Sequence, residues 1–344
     1  MTMRQLFGID VPLVQAPMAG VQAGALAIAV SNAGALGSLP CALLSTDGIE
    51  RELAAIRAQT SRPFNVNFFC HTQPAVDADR EAAWRAALAP YYRELGIDPA
   101  SIKPGPGRAP FDAAAADVLG RVRPAVVSFQ FGLPPDDLLA RVRALGARIV
   151  GCATTVAEAR WLDAKGVDAI VAQGFEAGGH RGNFLTDDVT TQVATLALVP
   201  QVVRAVRVPV IAAGGIADAN GVKAMLALGA SAVQIGTAFL LCPEATTSRI
   251  HRDALASDAA SHTAITNVFT GRPARGIVNR IMREVGPISA KAPPFPLATA
   301  ALAPLRAEAE RRGSGDFSPL WAGQNANGCR AIPAAQLVRE LTAT

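Results

Sequence analysis

The sequence has few aromatic residues and little charge, and these shortages exclude some classes of protein. Aromatic residues make up 5% and charged residues 17% of the 344 residues, while half of the chain is hydrophobic. The core must therefore consist mainly of Ala, Val, Leu and Ile. The net charge is +4, and the basic residues are scattered, with the pair Arg311 and Arg312 as the densest cluster. Because no basic stripe with interleaved aromatics exists, we expect no binding to nucleic acid.

Cysteine is also scarce and widely spaced. The five cysteines form no CxxC pair, and their odd number does not suggest a disulfide framework. This pattern is typical of a reducing compartment and predicts a cytoplasmic protein. The sequence contains neither an HExxH motif nor a cluster of Cys and His, so we expect no metal site.

A long uncharged stretch could suggest a membrane segment, since residues 11–46 contain no charged side chain. A spanning helix needs about 20 mostly apolar residues in a row. Here Pro12, Gln15 and Pro17 already interrupt the run, and further Gly, Gln, Ser and Asn residues follow. Asp10 and Pro12 also break any signal-peptide core. We therefore expect no membrane association.

Short apolar runs of strand length recur along the chain, each bounded by Gly, Pro, Asn or Ser. They are Leu13–Pro17, Ala35–Leu39, Phe64–Phe69, Ala125–Phe129, Arg148–Cys152, Ala169–Ala172, Pro209–Ala213 and Ala232–Ile235. Continuous runs of this kind indicate strands buried on both faces of a parallel sheet. Segments with helical spacing lie between most of them, and several end in a glycine that is suited to cap a helix: Gly34, Gly146, Gly166 and Gly229.

Eight strand-then-helix units within about 230 residues predict a (β/α)8 TIM barrel. The alternative is an open, doubly wound sheet. The sequence disfavours it, because no GxGxxG fingerprint follows the first strand.

Two regions fall outside the repeat, and they define the predicted domains. Residues 1–242 would form the barrel, with an insertion over 71–123 that contains a helix near 77–95 and the loop "KPGPGRAP". Residues 243–344 would form a helical and loop segment with a final helix near 334–341. We expect the insertion and this segment to build a helical second layer over the barrel mouth.

Chemistry in such a barrel lies at the C-terminal ends of the strands. There, "AAGGI" follows the seventh apolar run, and "QIGT" lies at the end of the eighth. Glycine backbone beside a helix start can surround a phosphate with N–H groups, and neither loop contains a lysine. The alternative is two tight turns that merely need glycine.

Three amide side chains, Asn67, Gln173 and Gln234, occur near the ends of apolar strands. Each could hydrogen-bond a heterocycle with mixed donors and acceptors, such as an isoalloxazine ring, or could only satisfy nearby backbone. Together with the phosphate loops they favour flavin mononucleotide (FMN).

Several motifs, in order along the chain, resemble the class I nitronate monooxygenases, formerly called 2-nitropropane dioxygenases. They are "QAPMAG", "FNVNFFCH", "QGFEAGGHRG", "AAGGIAD", "ALGASAVQIGTAFL", "GRPARG" and "WAGQ". The resemblance implies FMN and places the catalytic His180 beside the flavin ring. The predicted cofactor-binding residues are Met18, Asn67, Gln173, Gly178, Gly179, Gly214, Gly215, Gln234, Gly236 and Thr237.

Other residues of these motifs are expected to have structural roles. We expect Arg181 and Glu176 to form ion pairs, and Arg272 and Arg275 to brace the second layer rather than to bind an anionic substrate tail. Trp321 is expected to anchor the C-terminal segment.

The chain departs from the family pattern on the substrate side. Some relatives carry a histidine in place of Gln130, a serine in place of Thr270, and tyrosines near the substrate, whereas Tyr91 and Tyr92 are the only tyrosines here. Gln130 and Thr270 are therefore the predicted substrate-side residues.

The resemblance implies oxidative denitrification: FMN and O2 would convert a small anionic alkyl nitronate into a carbonyl compound and nitrite. His180 would hydrogen-bond the nitronate, stabilise its charge as imidazolium, or act as a base toward a neutral nitroalkane.

The main alternative is an FMN-dependent NADH:quinone or enoyl-acyl-carrier-protein reductase on the same scaffold. A flavin-free phosphate-binding lyase or a non-enzymatic binding protein is less well supported. The chain would act as a monomer or homodimer.

Overall fold

The computed structural model describes residues 2–102 and 108–343, so most of the loop "KPGPGRAP" lies outside the described residues. The strands are β1 Leu13–Gln15, β2 Gly37–Pro40, β3 Phe64–Phe69, β4 Val126–Gln130, β5 Arg148–Ala153, β6 Ala169–Gln173, β7 Gly179–His180, β8 Val210–Ala213, β9 Ala232–Ile235, β10 Thr263–Thr266 and β11 Ala274–Ile277. The helices are α1 Met3–Phe7, α2 Gly24–Asn32, α3 Thr46–Gln59, α4 Ala78–Leu95, α5 Ala113–Val122, α6 Asp136–Ala144, α7 Val156–Ala164, α8 Thr195–Ala205, α9 Ala219–Ala227, α10 Arg249–Leu255, α11 Arg280–Glu284, α12 Ala298–Arg311 and α13 Ala334–Leu341.

The eight predicted apolar runs form one parallel sheet in the order β1-β9-β8-β6-β5-β4-β3-β2. The two ends of this order also meet. Gln15 donates its backbone N–H to the carbonyl of Leu36 at 2.8 Å, and Leu36 donates to Leu13 at 2.9 Å. The sheet is therefore a closed barrel, which confirms the (β/α)8 prediction and rules out the open doubly wound sheet.

Glycine ends several of the surrounding helices, as the sequence predicts. Gly34, Gly146, Gly166 and Gly229 all have a positive φ, between +73° and +97°. This left-handed conformation is strained for residues with a Cβ atom, so glycine allows the chain to turn from each helix into the next strand.

The barrel takes two helices from regions that the sequence analysis assigned elsewhere. Helix α5 lies within the expected insertion 71–123, yet its Val118 and Leu119 are fully buried in the barrel core. Helix α13 lies within the expected mouth-covering segment 243–344, yet its Leu337 and Val338 belong to the same core, where α13 contacts α2 and α9. The insertion is thus shorter than expected, and α13 follows β9 in the barrel repeat after an excursion of the chain.

The insertion and the C-terminal segment share a second apolar core. Helices α4 and α12 lie against each other, where the indole N–H of Trp84 donates to the Ala298 carbonyl at 3.2 Å and the Tyr92 hydroxyl donates to Ala301 at 2.6 Å. Neither region has a separate core of its own among the described clusters. A small antiparallel sheet, β10-β11-β7, links the C-terminal segment to the loop after β6.

Within residues 2–102 and 108–343, no helix has both the length and the apolar character needed to cross a bilayer. The same residues contain no group of three or more His, Cys, Asp or Glu side chains arranged to hold a metal ion.

Candidate functional site

A large cavity opens at the C-terminal end of the barrel strands, where active sites of this fold occur. Its space is about 1260 Å³, including the part open to solvent. The cavity wall contains every predicted cofactor-binding residue, together with His180 and Gln130: Met18, Asn67, Gln130, Gln173, Gly178, Gly179, His180, Gly214, Gly215, Gln234, Gly236 and Thr237. Thr270 is not in this wall, but its hydroxyl contacts the imidazole of His180.

One end of the cavity is built from the loops after β8 and β9. Gly214 and Gly215 have φ values of +121° and +71°, so both need the freedom of glycine. The backbone N–H groups of Gly215, Gly236 and Thr237 donate to no protein acceptor among the described hydrogen bonds. Helix α9 begins just beyond, which adds to the attraction for an anion.

A strap from the C-terminal segment, residues 321–325, crosses this end of the cavity. Asn325 donates its side-chain N–H to the carbonyl of Gly215 at 3.0 Å. Gly323 donates its backbone N–H to Oγ1 of Thr237 at 3.0 Å, which leaves the Thr237 hydroxyl hydrogen available to another acceptor. Gly178 must be glycine here, because a Cβ atom would lie 2.6 Å from the Ala322 carbonyl carbon.

The three predicted amides differ in how much hydrogen-bonding capacity they keep. Gln173 is largely engaged with the loop that carries His180: its Nε2 donates to the His180 carbonyl at 3.1 Å, and its Oε1 accepts from Gly182 at 2.7 Å. Asn67 donates through Nδ2 to Oγ of Ser128 at 2.9 Å. The side chain of Gln234 makes no hydrogen bond among those described, so it keeps the most capacity for a ligand.

His180 is held on three sides. His180 in β7 pairs with Ala274 in β11. The carbonyl of His180 accepts a hydrogen bond from the side-chain amide of Gln173 and, at 3.4 Å, another from the side-chain amide of Gln130. The ring Nε2 lies 3.0 Å from Oγ1 of the buried Thr270. Since the described hydrogen bonds of the ring use Nε2 only, Nδ1 is the atom available to a ligand in the cavity.

Burial holds the pKa of His180 well below its ordinary value of 6.5, and the nearby guanidinium groups of Arg108 and Arg272, with a smaller effect of His71, lower it further. The ring is therefore a neutral imidazole at pH 7. Of the roles that the sequence left open for His180, hydrogen bonding fits this state, whereas charge stabilisation by an imidazolium does not. A histidine with a lowered pKa is also a weak base.

Aromatic rings surround the imidazole of His180. The ring centroids of Phe69, Phe131, Phe295 and Trp321 lie 5.3–6.1 Å from that of the imidazole. Trp321 also contacts Phe269, so it anchors the C-terminal segment as predicted and lines the cavity as well. Phe131 has φ +71°, a conformation that is rare for a bulky residue.

Arg108 is the functional residue that the sequence reasoning missed. Among the described residues of the cavity wall, it carries the only guanidinium. Its Nη1 donates to Oγ1 of Thr299 at 3.3 Å, and its cationic carbon lies 5.6 Å from the Phe295 ring. No motif marks Arg108, because it lies within the Pro- and Gly-rich loop "KPGPGRAP" of the insertion and lines the cavity only in the folded chain.

Glu176 and Arg181 were expected to form ion pairs, but among the described residues both form hydrogen bonds to neutral groups instead. Glu176 accepts the N–H and the hydroxyl of Thr195, both at 2.8 Å, and thereby caps α8. Arg181 is fully buried and donates to Oε1 of Gln192 at 2.7 Å and to the Gln173 carbonyl at 2.9 Å. Both roles are structural, as expected, but within the described part of the chain neither residue forms the ion pair that the sequence analysis predicted for it.

The two arginines of "GRPARG" brace the structure, the role that the sequence favoured. Arg272 lies 4.0 Å above the Phe131 ring and donates to the Asn183 carbonyl. Arg275 is buried and donates to the Phe175 carbonyl at 3.1 Å. Neither lines the cavity described above.

The whole chain, residues 1–344, matches the family model described as nitronate monooxygenase. A curated relative, "Nitronate monooxygenase" of Pseudomonas aeruginosa, is 44% identical over 98% of this chain and 97% of its own length. The protein of the same name from Paraburkholderia phytofirmans is 43% identical over 98% of this chain and 92% of its own.

Comparison with solved structures also identifies proteins that this chain resembles. A nitroalkane oxidase from Streptomyces ansochromogenes aligns with a TM-score of 0.90 and 39% identity, covering 99% of this chain and 96% of that chain. FabK from Thermotoga maritima is more distant, with a TM-score of 0.73 and 26% identity over 98% of this chain and 94% of its own. The resemblance predicted from the sequence motifs is thus confirmed, and the chain is an oxidoreductase that belongs to the nitronate monooxygenase family.

Proposed function

We propose that this enzyme oxidises alkyl nitronates with O2, using bound FMN, and releases a carbonyl compound and nitrite. The observation that carries the proposal is the composition of one cavity: backbone N–H groups at one end, amides along its wall, and a neutral histidine beside a single guanidinium. The high identity to curated nitronate monooxygenases supports the same reaction class.

The cavity suits FMN for reasons of shape and of charge. The free N–H groups of Gly215, Gly236 and Thr237 can donate to a phosphate without any lysine. At Gly179, φ is +70° and a Cβ atom would meet nothing within 4 Å, so this backbone faces open space that a ring could fill. Gln234 and Asn67 would bind polar edges of that ring. When bound, the flavin would supply the electron-transfer chemistry.

The side chains opposite would select and orient the substrate. Nδ1 of His180 would hydrogen-bond a nitronate oxygen, while Thr270 fixes the ring through Nε2. Arg108 would attract the negative charge of the nitronate. Because His180 is neutral and weakly basic, a substrate that is already an anion suits this site better than a neutral nitroalkane that must first lose a proton.

A second candidate is an FMN-dependent reductase that acts with NADH on an enoyl thioester or a quinone. The structural likeness to FabK favours it over a flavin-free lyase or a binding protein. At 26% identity, however, that likeness is much weaker than the likeness to the nitroalkane oxidase. The fold alone does not decide between the oxidase and the reductase, since the same barrel supports many reactions.

The test uses the purified enzyme in air. It should be yellow, release FMN on denaturation, and convert ethyl nitronate to nitrite with consumption of oxygen and without NADH. His180→Ala should retain FMN but lose about two to three powers of ten in turnover, the usual effect of removing a preorganised hydrogen bond to the reacting group. Production of no nitrite from any nitronate, together with steady NADH oxidation in the presence of a quinone or enoyl substrate, would establish the reductase instead.

A further inference from the structure

A second cleft adjoins the main cavity on its substrate side, between α12 and the segment before β11. It holds about 540 Å³, including the part open to solvent. Most of its wall is apolar: Phe269, Leu302, Ala303, Ala307, Phe317 and Pro319. The sequence analysis assigned no role to this cleft.

Arg108 lines both spaces and is the one described residue that their walls share. Its guanidinium is held by Thr299, whose hydroxyl in turn donates to the Phe269 carbonyl at 3.2 Å. Thr270 also lines the cleft and bonds the imidazole of His180, so the cleft begins directly behind the proposed reaction centre.

The cleft exists because one row of α12 carries small side chains. Thr299, Ala303 and Ala307 are four residues apart and therefore lie on one face of the helix. The rings of Phe269 and Phe317 contribute to the wall, and no side chain longer than threonine fills the space from this row.

Charge differs between the two ends of the cleft. At the outer end, Arg306 donates to Glu310 at 2.7 Å, so this pair is neutral as a whole. At the inner end, no carboxylate pairs with Arg108 among residues 2–102 and 108–343. An occupant with an anionic head at Arg108 and an apolar chain along α12 would match both ends.

We propose that this cleft binds the hydrocarbon chain of the substrate, and that the enzyme acts preferentially on nitronates with a linear chain of several carbons. The proposal rests on the proposed function, since it takes the nitronate head to lie between His180 and Arg108. The chain then passes Thr270 and Thr299 and lies against the small residues of α12.

The experiment measures kcat/KM for linear primary nitronates from ethyl to hexyl. In the wild type, kcat/KM should rise by about two- to fourfold for each methylene group that leaves water, once the chain exceeds three carbons. Ala303→Leu places a larger side chain in the cleft and should reduce the hexyl-to-propyl ratio to within about threefold of one. Ala83→Leu, at an exposed position of α4 outside both spaces, is the matched control and should keep the wild-type ratio.

Two outcomes would overturn the proposal while the proposed function stands. The first is a wild-type kcat/KM that does not depend on chain length. The second is an equal loss for all chain lengths in Ala303→Leu, which would identify the cleft as an entry route rather than a chain-binding site.

A binding measurement keeps the two proposals distinguishable if no nitronate is oxidised. Linear alkanoates carry an anionic head and a chain but do not react. Calorimetric titration of the holoprotein should show octanoate binding at least tenfold more tightly than butanoate, and Ala303→Leu should remove that difference. Equal affinities in the wild type would overturn the cleft assignment independently of catalysis.

Discussion

The Nε2 atom of His180 lies 3.0 Å from Oγ1 of Thr270, a fully enclosed hydroxyl on the far side of the ring from the cavity. The same hydroxyl lies 3.4 Å from the N–H of Arg272. Thr270 therefore positions the imidazole from outside the wall of the main cavity, and it also lines the second cleft. The sequence analysis grouped Thr270 with the substrate-side residues; that assignment stays a prediction, and the contact with His180 adds a positioning role to it.

Removing that hydroxyl should impair the orientation of His180. We expect Thr270→Ala to lower kcat/KM for ethyl nitronate by about five- to tenfold, the usual effect of losing one hydrogen bond of about 1 kcal/mol. The measurement is steady-state nitrite production, with FMN content determined in parallel. Thr270→Ser keeps the hydroxyl and should recover most of the activity, so equal losses in both variants would contradict a positioning role.

The lowered pKa of His180 predicts the pH dependence of activity. Because the folded pKa lies well below 6.5, His180 should stay neutral from pH 9 down past pH 6.5, and protonation should remove activity only at lower pH. A profile of kcat/KM with preformed nitronate should therefore be flat across neutrality, apart from titration of the substrate itself. A limb near pH 6.5 that is absent in His180→Asn would contradict the neutral-imidazole assignment.

Burial also makes His251 a source of acid instability. Burial lowers its pKa from 6.5 to about 4. In the unfolded chain His251 takes up a proton near pH 6.5, so its contribution to stability is complete above that pH and is lost progressively down to about pH 4. From pH 7 to pH 5 the free energy of unfolding should fall by roughly 2 kcal/mol on this account.

Urea unfolding at pH 7 and pH 5 measures this effect. His251→Gln should show a smaller difference between the two pH values than the wild type does. His262→Gln, at an exposed position nearby, should leave the difference unchanged. An identical pH dependence in wild type and His251→Gln would show that other groups cause the acid instability.

The sequence predicted the barrel well because its signals are local. Each buried strand is a continuous apolar run, and glycines such as Gly146 and Gly166 end the helices in the conformation expected. The position of the two glycine loops and of His180 in one cavity was also predictable, since strand ends meet at one face of the barrel. The phosphate-binding and substrate-binding roles inferred from their residue types stay predictions.

What the sequence could not show depends on contacts between distant segments. Arg108 enters the cavity from the insertion and is held by Thr299 of α12, 191 residues later. Helix α13 returns to the barrel after the C-terminal segment, and nothing in its own eight residues distinguishes it from a helix of the second layer. The neutral state of His180 likewise depends on burial and on the guanidinium groups of Arg108 and Arg272, which tertiary folding brings near.

The place of α13 in the barrel core makes a stability prediction. Leu337 is fully buried among barrel residues, so Leu337→Ala should lower the free energy of unfolding by about 2–5 kcal/mol. Arg339→Ala, on the exposed face of the same helix, is the control and should change it by less than about 0.5 kcal/mol. Equal, small effects of both substitutions would show that α13 is peripheral to the barrel.

The glycine loop after β8 offers the sharpest test of the phosphate assignment. Gly215 has φ +71°, and its N–H points to no protein acceptor among the described hydrogen bonds. Gly215→Asp combines backbone strain with a carboxylate beside the proposed phosphate position, and no lysine or arginine of that loop compensates the repulsion.

Gly313→Asp is the matched control, since Gly313 has φ +80° and lies in open space at the end of α12. We expect both variants to lose a similar amount of stability, whereas only Gly215→Asp should weaken FMN binding, by at least tenfold in a fluorescence titration of the apoprotein. Unchanged FMN affinity in Gly215→Asp would show that the phosphate does not bind at this loop.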